Sequence, residues 1–155
     1  MGPMTISRNE YEISTDRGRL DLSFIHDFLA NQSYWAKNIP FEVMQRSFEN
    51  ALCFGVYHQD RQIGFARVIT DFATTAYVGD VFINEAHRGK GLGKWLMESI
   101  LSHPDLLGLR LWFLGTRDAH GLYGKYGFKK VINTPLMERL MAILNPDVYK
   151  KKEQR

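Results

Sequence analysis

The sequence predicts a single mixed α/β domain, with a central, mostly antiparallel sheet flanked by about four helices. Short runs rich in β-branched and aromatic residues recur along the chain, as in LCFGVYH, QIGFARVIT and TAYVGDVFI. Segments with helical spacing of apolar residues lie before and after these runs. A helix that follows the third run requires a crossover, so at least one strand pair must be parallel. The 155 residues fit one domain, residues 1–155, with a short basic tail at about 149–155.

The elements can be predicted in chain order. YEISTD forms a first short strand, and the apolar spacing after Leu20 predicts a helix. Pro40 opens a second helix, PFEVMQRSFENA, because proline is favoured at a helix start. LCFGVYH and QIGFARVIT then form a hairpin, and TAYVGDVFI forms a third long strand. The remaining predictions are a helix from about Gly91 to His103, a buried strand in LGLRLWFLGT, a short helix in DAHGLYGKY, and closing strands in FKKVI and MERLMAIL.

Composition excludes several classes of protein. The balance of 20 Lys+Arg against 17 Asp+Glu gives a net charge of only +3, so we expect no nucleic-acid partner. No apolar run approaches the length of a membrane span, and the first residues lack an apolar leader, so we expect a cytoplasmic protein without membrane association. Cys53 is the only cysteine. In the apolar run ALCFGVYH it is expected to be a buried, inert thiol, the alternative being a covalent nucleophile.

The segment DVFINEAHRGKGLGK carries the clearest chemical signal. A strand that enters a helix through glycines exposes backbone N–H groups without intrahelical partners, beside the positive end of the helix dipole. Arg88, Lys90 and Lys94 add side-chain charge, and glycines let phosphate oxygens approach the backbone closely. The segment therefore predicts a phosphate site, the alternative being a merely tight turn.

Two familiar phosphate motifs do not fit this segment. In a dinucleotide fingerprint that starts at Gly89 and Gly91, the last glycine position falls on Lys94. The Walker pattern aligned on Gly93 and Lys94 places Trp95 where the Mg²⁺-binding hydroxyl belongs. A nucleotide-binding regulatory protein is therefore a weaker interpretation of the loop.

The pattern that does match is R-x-x-G-x-G, at Arg88, Gly91 and Gly93, followed later by Tyr-x-x-x-Gly-Phe at Tyr123, Gly127 and Phe128. With these two motifs the chain resembles the GCN5-related N-acetyltransferase (GNAT) family over nearly all of its predicted elements. The resemblance implies that acetyl-CoA is the co-substrate, with no metal, and that its pyrophosphate binds the glycine loop. The residues it assigns to acetyl-CoA binding are Val81, Phe82, Ile83, Arg88, Gly89, Lys90, Gly91, Leu92, Gly93, Lys94 and Thr116.

The resemblance also implies catalytic roles. Tyr123 matches the family's general acid, since a phenol of pKa about 10 can protonate a leaving thiolate of pKa about 8.5. The alternative is a core aromatic, as expected for Tyr126. Asp80 is the first choice for the general base, ahead of Asp71 and His58, although an ordinary ion-pairing role fits Asp80 equally well.

The acceptor pocket is expected from the first two helices and their connection. Tyr34 and Trp35, with Phe41, are predicted to form an aromatic substrate-binding wall, although they could equally belong to the core. The sequence thus predicts an N-acetyltransferase that acts on a small-molecule or peptide primary amine, and the family suggests a possible homodimer. The alternative is a non-catalytic module that binds acyl-CoA as a sensor.

Overall fold

A computed structural model of the chain describes residues 2–150. The strands are β1 (Thr5–Arg8), β2 (Tyr11–Ser14), β3 (Leu52–His58), β4 (Arg61–Thr70), β5 (Thr75–Ile83) and β6 (Leu111–Leu114). The helices are α1 (Leu22–Asp27), which continues as a π-helical turn over Phe28–Gln32, α2 (Phe41–Glu49), α3 (Leu92–Leu101), α4 (His120–Gly124) and α5 (Pro135–Arg139). No helix in residues 2–150 is both long enough and apolar enough to cross a membrane.

The six strands form one sheet in simple sequence order, β1-β2-β3-β4-β5-β6. The first five strands pair antiparallel. The α3 crossover makes β5 and β6 parallel, with Thr75 opposite Leu111 and Val78 opposite Leu114. This mixed, mostly antiparallel sheet confirms the predicted fold class.

Each face of the sheet has its own core, because side chains alternate along every strand. Phe54 and Val56 of β3 join a cluster that α3 covers with Trp95, Leu96 and Ile100. On the other face α1, the π-helical turn and α2 cover Cys53, Phe65 and Phe82. Phe82 stacks on Phe28 with ring centroids 3.8 Å apart, which ties the π-helical turn to β5.

The hairpin between β3 and β4 forms as predicted, but its turn is one residue shorter than the three-residue gap, Gln59–Arg61, between the two predicted runs. Gln59 and Asp60 alone make the turn, with φ of 50° and 66°. Two consecutive positive φ values define a type I′ turn, whose twist matches that of the strands it joins. Arg61 therefore belongs to β4 and not to the loop.

The sequence predictions were wrong at both ends of the chain. Strand β1 was not predicted, although it pairs with the predicted first strand, Thr5 lying opposite Ser14. At the other end FKKVI forms no strand, and the beginning of MERLMAIL lies in α5. The Thr134 side chain caps this helix by accepting a hydrogen bond from the Met137 N–H, and Pro135 occupies its first turn. This capping signal outweighed the alternation that favoured a strand.

The strand predicted in LGLRLWFLGT is shorter and less buried than expected. Only Leu111–Leu114 pairs with β5, and Phe113 keeps 43% of its surface exposed. Since FKKVI and MERLMAIL form no strands, β6 is the last strand of the described sheet.

Candidate active site

The glycine loop connects β5 to α3 as predicted. After a short 3₁₀ turn at Glu85–His87, Gly89 and Gly91 adopt left-handed conformations, with φ of 78° and 75°. A residue with a Cβ is strained there, so these two glycines set the path of the chain. Gly91 is the N-cap of α3 and no side chain caps the helix. The N–H groups of its first turn therefore point outward without side-chain partners, as an anion site requires.

The loop leaves room for a ligand beside its backbone. A Cβ added at Gly89, Gly91 or Gly93 would meet no other atom within 4 Å. No neighbouring atom of the chain therefore requires glycine at these positions. The missing side chains leave the backbone accessible to a ligand. Arg88 contributes to the loop's shape, since its Nε donates a hydrogen bond to the Ile83 carbonyl at 2.9 Å. The arrangement fits a phosphate or diphosphate group.

Strand β5 continues beyond the end of β6 just before this loop, and it stays paired with β4 through a β-bulge. Its register with β4 shifts between the pair Phe65–Phe82 and the pair Arg67–Gly79, so that Asp80 and Val81 lie opposite Ala66 alone. Asp80 has φ of 54°, as a β-bulge residue can have. Because β6 ends opposite Val78, the β6-side edge of residues 79–83 has no strand partner within residues 2–150. This open edge is of the kind that an extended, amide-rich ligand can pair with, although the Ile83 carbonyl already accepts the hydrogen bond from Arg88.

A cavity of about 630 Å³ opens beside this free edge. Tyr123 lines it from α4 and is half-buried. Burial raises the pKa of Tyr123 above its usual value, and Tyr34 and Asp118 act in the same direction. The phenol is therefore held in its protonated, proton-donating form. The other lining residues used below are Tyr34, Trp35, Arg67, Asp80, Thr116, Arg117 and Tyr149.

Asp80 is bonded through both of its oxygens. Arg67 Nε donates to Oδ2 at 2.8 Å, and Trp35 Nε1 donates to Oδ1 at 2.9 Å. The Asp80 side chain is only 8% exposed and that of Arg67 only 18%. The Asp80 carboxylate therefore holds the Trp35 indole beside the β-bulge and pairs with the charge of Arg67. This is the ion-pairing role that the sequence offered as the alternative for Asp80.

Tyr34 and Trp35 line the same cavity as Tyr123. Their rings meet edge to face at 5.0 Å, and both side chains remain more than 40% exposed. The Tyr34 hydroxyl accepts a hydrogen bond from the Arg117 N–H at 2.9 Å, while the Arg117 guanidinium lies 3.6 Å from the Tyr34 ring centroid. The two aromatic residues thus line the cavity. Phe41 instead packs on His26 in the core.

The two lower-ranked base candidates lie outside this cavity. Asp71 closes the β4–β5 turn, where hydrogen bonds, first from the Thr74 hydroxyl and then from backbone N–H groups, hold its pKa well below the usual range. His58 lies beside Glu10, with Nε2 and Oε2 3.1 Å apart. Neither residue is among those that line the cavity.

Three further residues that the sequence singled out are Thr116, Tyr126 and Cys53, and only the first lines the cavity. Thr116 lines the cavity and its hydroxyl accepts a hydrogen bond from the Ala119 N–H at 3.1 Å, just before α4. Tyr126 donates a hydrogen bond to the Lys94 carbonyl at 3.1 Å and does not line the cavity. Cys53 is 2% exposed, and burial raises its pKa to about 11, which makes it unreactive.

Sequence reasoning missed Arg67, Arg117 and Tyr149. For Arg67 a signal existed, because a charged residue in the middle of the apolar run QIGFARVIT needs a buried partner. Tyr149 was counted in the basic tail, yet it lines the cavity and packs against the helix-covered core. The rest of the tail, residues 151–155, lies outside the described residues.

The mixed sheet and the glycine loop together are typical of an acetyltransferase, and comparison with known proteins supports this class. The family model for an acetyltransferase (GNAT) domain matches residues 49–130. A GNAT-family structure from Xanthomonas campestris pv. campestris is 45% identical with a TM-score of 0.86, and the match covers 91% of this chain and 97% of that one. The chain belongs to the GNAT acetyltransferase family.

Two other relatives show how far the likeness extends. A predicted acetyltransferase of Gibberella zeae is 29% identical over 146 residues, which covers 79% of this chain and 81% of the relative. A GNAT acetyltransferase from Elizabethkingia anophelis, solved with acetyl-CoA bound, has a TM-score of 0.59 at 16% identity. That match covers 79% of this chain and 78% of the other, and at this identity it shows a shared fold.

Proposed function

We propose that this protein transfers the acetyl group of acetyl-CoA to a primary amine by direct attack, with Tyr123 as the general acid. The observation that carries the proposal is the position of Tyr123, whose protonated phenol lines a cavity beside the part of β5 that extends past the end of β6. The structure of the Elizabethkingia anophelis relative, which holds acetyl-CoA, supports acetyl-CoA as the ligand.

The residues of this chain fit the parts of acetyl-CoA in order. The open N-terminus of α3 and residues 88–94 suit the diphosphate, because the N–H groups, the helix dipole and three cations all favour negative charge. The free edge of Val81, Phe82 and Ile83 suits the amide-bearing arm. Thr116 lines the same cavity and contributes a further polar group.

The reaction needs three steps, and the cavity offers groups for them. The neutral amine nitrogen attacks the thioester carbon, forming a C–N bond and an oxyanion that a backbone N–H of the free β5 edge can stabilise. The C–S bond then breaks, and the departing thiolate takes the proton of the Tyr123 hydroxyl. The excess proton on the amine nitrogen leaves to a base or to water, and Tyr123 regains a proton from solvent.

Asp80 is the predicted base for the amine proton. It lines the cavity, but Arg67 and Trp35 already occupy both of its oxygens. These contacts favour a positioning role, in which Asp80 holds the acceptor wall in place and the amine loses its proton through water. The two roles differ in the pH profile of an Asp80→Asn variant.

Tyr34, Trp35, Arg117 and Tyr149 are proposed to form the acceptor side of the cavity. Trp35→Ala removes an exposed ring that contacts Tyr34, so the KM for the amine should rise while the KM for acetyl-CoA stays unchanged. An equal rise in both KM values would instead mean that Trp35 supports the whole cleft.

Two measurements test the proposed function. Thermal unfolding should show stabilisation by acetyl-CoA and by CoA, but not by NAD or Mg-ATP, since a ligand that binds the folded state raises stability by mass action. Thiol release should then appear with at least one member of a panel of amines. Stabilisation by CoA without thiol release across the panel would favour the acyl-CoA sensor, and no stabilisation by CoA would refute acetyl-CoA binding.

A further inference from the structure

The cavity that Tyr123 lines contains one positive and one negative side chain that have no partner within residues 2–150. Arg67 and Asp80, which also line it, neutralise each other in the ion pair described above. Arg117 and Asp118 are consecutive in the chain and line the same cavity. Among the described residues, neither of these two side chains forms an ion pair or a hydrogen bond. Both charges are therefore available to a ligand.

The Arg117 guanidinium is held in place without using its hydrogen-bond donors. It lies over the Tyr34 ring, with its central carbon 3.6 Å from the ring centroid. The Arg117 backbone N–H donates to the Tyr34 hydroxyl at 2.9 Å, which fixes the same contact from the main chain. The side-chain N–H groups form a planar fork that matches the two oxygens of a carboxylate. Arg117 is thus arranged to bind a carboxylate of the acceptor.

The Asp118 carboxylate lies near the proposed general acid. Burial is the main reason that the pKa of Tyr123 is raised, and Tyr34 and the charge of Asp118 add to the effect. The hydrogen bond from the Ala119 N–H to the Thr116 hydroxyl closes a short turn around Asp118. A carboxylate here attracts the ammonium form that most amines have at neutral pH. It can still accept a hydrogen bond from the amine N–H after the proton has left.

The charge of the cavity lining favours an acceptor that carries both signs. The lining residues Arg67, Asp80, Arg117 and Asp118 sum to zero charge. A polyamine would be matched by an excess of carboxylates, and a phosphorylated amine by an excess of cations. A zwitterion with one ammonium and one carboxylate matches the two unpaired groups instead. The rings of Tyr34 and Trp35, both more than 40% exposed, offer an apolar surface to the rest of such a molecule.

We propose that the acetyl acceptor is an amino acid with an apolar side chain, whose carboxylate binds Arg117 and whose amine lies beside Asp118 and Tyr123. The proposal rests on the acetyl transfer proposed above and names its acceptor. The Cα atoms of Arg117 and Asp118 are about 3.8 Å apart, as in any consecutive residues, which suits two ligand charges that are only a few bonds apart. The side chain of the amino acid packs on Tyr34 and Trp35.

The first test is thermal unfolding in the presence of saturating CoA, which requires no turnover. L-phenylalanine, L-leucine and L-methionine are compared with their carboxamides, which keep the amine and the side chain but lack the negative charge. At least one amino acid should stabilise the protein further, and its amide should bind about tenfold more weakly, because a charge-assisted pair with Arg117 is lost. The proposal is wrong if no amino acid stabilises the protein or if each amide binds as well as its amino acid.

The second test compares turnover of the same pairs in the thiol-release assay. The amine of an amide, like that of a peptide, has a pKa of about 8, so the amide carries neutral amine and a preference for the amino acid reports binding. Arg117→Gln keeps the backbone bond to Tyr34 and should raise the KM for the amino acid about tenfold, with the KM for the amide unchanged. Asp118→Asn should lower kcat/KM about tenfold for both. Arg61→Gln, at an exposed residue outside the cavity, should change neither.

Amino acid recognition and acetyl transfer can fail separately in these tests. Thiol release without a preference for amino acids over their amides would refute the amino acid acceptor and leave acetyl transfer intact. An Arg117→Gln enzyme that keeps the preference, or an Asp118→Asn enzyme with unchanged kcat/KM, would also refute it. No thiol release with any amine would refute acetyl transfer, and the binding comparison in the presence of CoA would then still decide whether the cavity recognises amino acids.

Discussion

The proposed site has two halves that are built in different ways. The acetyl-CoA half lies in a continuous stretch from Val81 to Lys94, and its chemistry comes mainly from backbone groups that glycines leave accessible. The acceptor half joins Tyr34, Asp80 and Arg117, and its contacts span 45 and 83 positions of sequence. The first half is therefore specified by local sequence, and the second exists only once the sheet and helices have come together.

The largest expected effect is on kcat, and it tests Tyr123 as the general acid. Tyr123→Phe should lower kcat about 10² to 10⁴-fold, because it removes the proton for the leaving thiolate. Stabilisation by acetyl-CoA should be unchanged. Tyr126→Phe, which removes a hydroxyl that bonds the Lys94 carbonyl outside the cavity, is the matched control and should keep near-wild-type turnover in the thiol-release assay.

The pH dependence of turnover provides a second test of Tyr123 as the general acid. Because burial raises the pKa of Tyr123 above its ordinary value of 10.0, the donating form persists at higher pH than for a free tyrosine. Turnover should therefore not fall through loss of this proton until the pH exceeds 10.0. A Tyr123→Phe enzyme with near-wild-type turnover would refute the general-acid role.

The second effect is on the free energy of unfolding, and it tests Asp80, whose carboxylate bonds Arg67 and Trp35. Asp80→Asn leaves the Arg67 charge without its partner and should lower the free energy of unfolding by about 3 kcal/mol. Asparagine tolerates the positive φ of this position, so the loss reports the ion pair and not backbone strain. Urea denaturation measures it.

Glu12→Gln is the matched control for Asp80→Asn. It breaks the more exposed Arg19–Glu12 pair and should cost less than about 1 kcal/mol. An equally small loss in Asp80→Asn would contradict the anchoring role. If the acidic limb of the pH–rate profile also moves in Asp80→Asn, Asp80 is the general base, and an unchanged profile removes it from that role.

The third effect tests the acetyl-CoA half without disturbing the fold. Gly93 lies in the first turn of α3, not in a left-handed conformation, and an added Cβ meets no atom of the chain. Gly93→Ala should therefore keep or raise stability, by up to about 1 kcal/mol. The same Cβ would hinder a phosphate at the backbone, so the KM for acetyl-CoA should rise about tenfold, equal to about 1.4 kcal/mol. Unchanged KM with a stable protein would mean that the ligand does not approach this turn.

The last effect appears only at alkaline pH and concerns Cys53, which lies opposite Arg67 in the β3–β4 register. The pKa of Cys53 is about 11 in the folded protein against 9.0 for an unburied cysteine, so the unfolded chain ionises first as the pH rises. Its contribution to stability is complete below pH 9.0 and is lost between 9.0 and about 11. The slope should approach about 1.4 kcal/mol per pH unit.

Denaturation at several pH values measures this slope, with Cys53→Ala as the reference. The alanine variant should show a shallower alkaline decline, and the slope that remains should come from tyrosines such as Tyr57. Equal slopes in the two proteins would mean that Cys53 is accessible to solvent.

The sequence by itself determined the order of elements from Tyr11 to the helix that carries Tyr123, and it located the glycine loop. These features depend on local rules, because apolar periodicity, capping and glycine conformations act within a few residues. The strand predictions for FKKVI and MERLMAIL failed for a related reason. In MERLMAIL local alternation was present, but the helix start signal of Thr134 and Pro135 placed its first residues in α5, and no strand within residues 2–150 pairs with either segment.

The tertiary structure alone decided how the acceptor half is assembled. It paired Asp80 with Arg67 and Trp35, placed Arg117 over Tyr34, and brought Tyr149 back to the cavity. No short stretch of sequence contains these contacts, because they arise from the bulge in β5 and from packing of the first helices across the sheet. The physical reason is the range over which the determining interactions act along the chain. Backbone geometry is set by neighbours along the chain, whereas the partner of a buried charge is set by the whole fold.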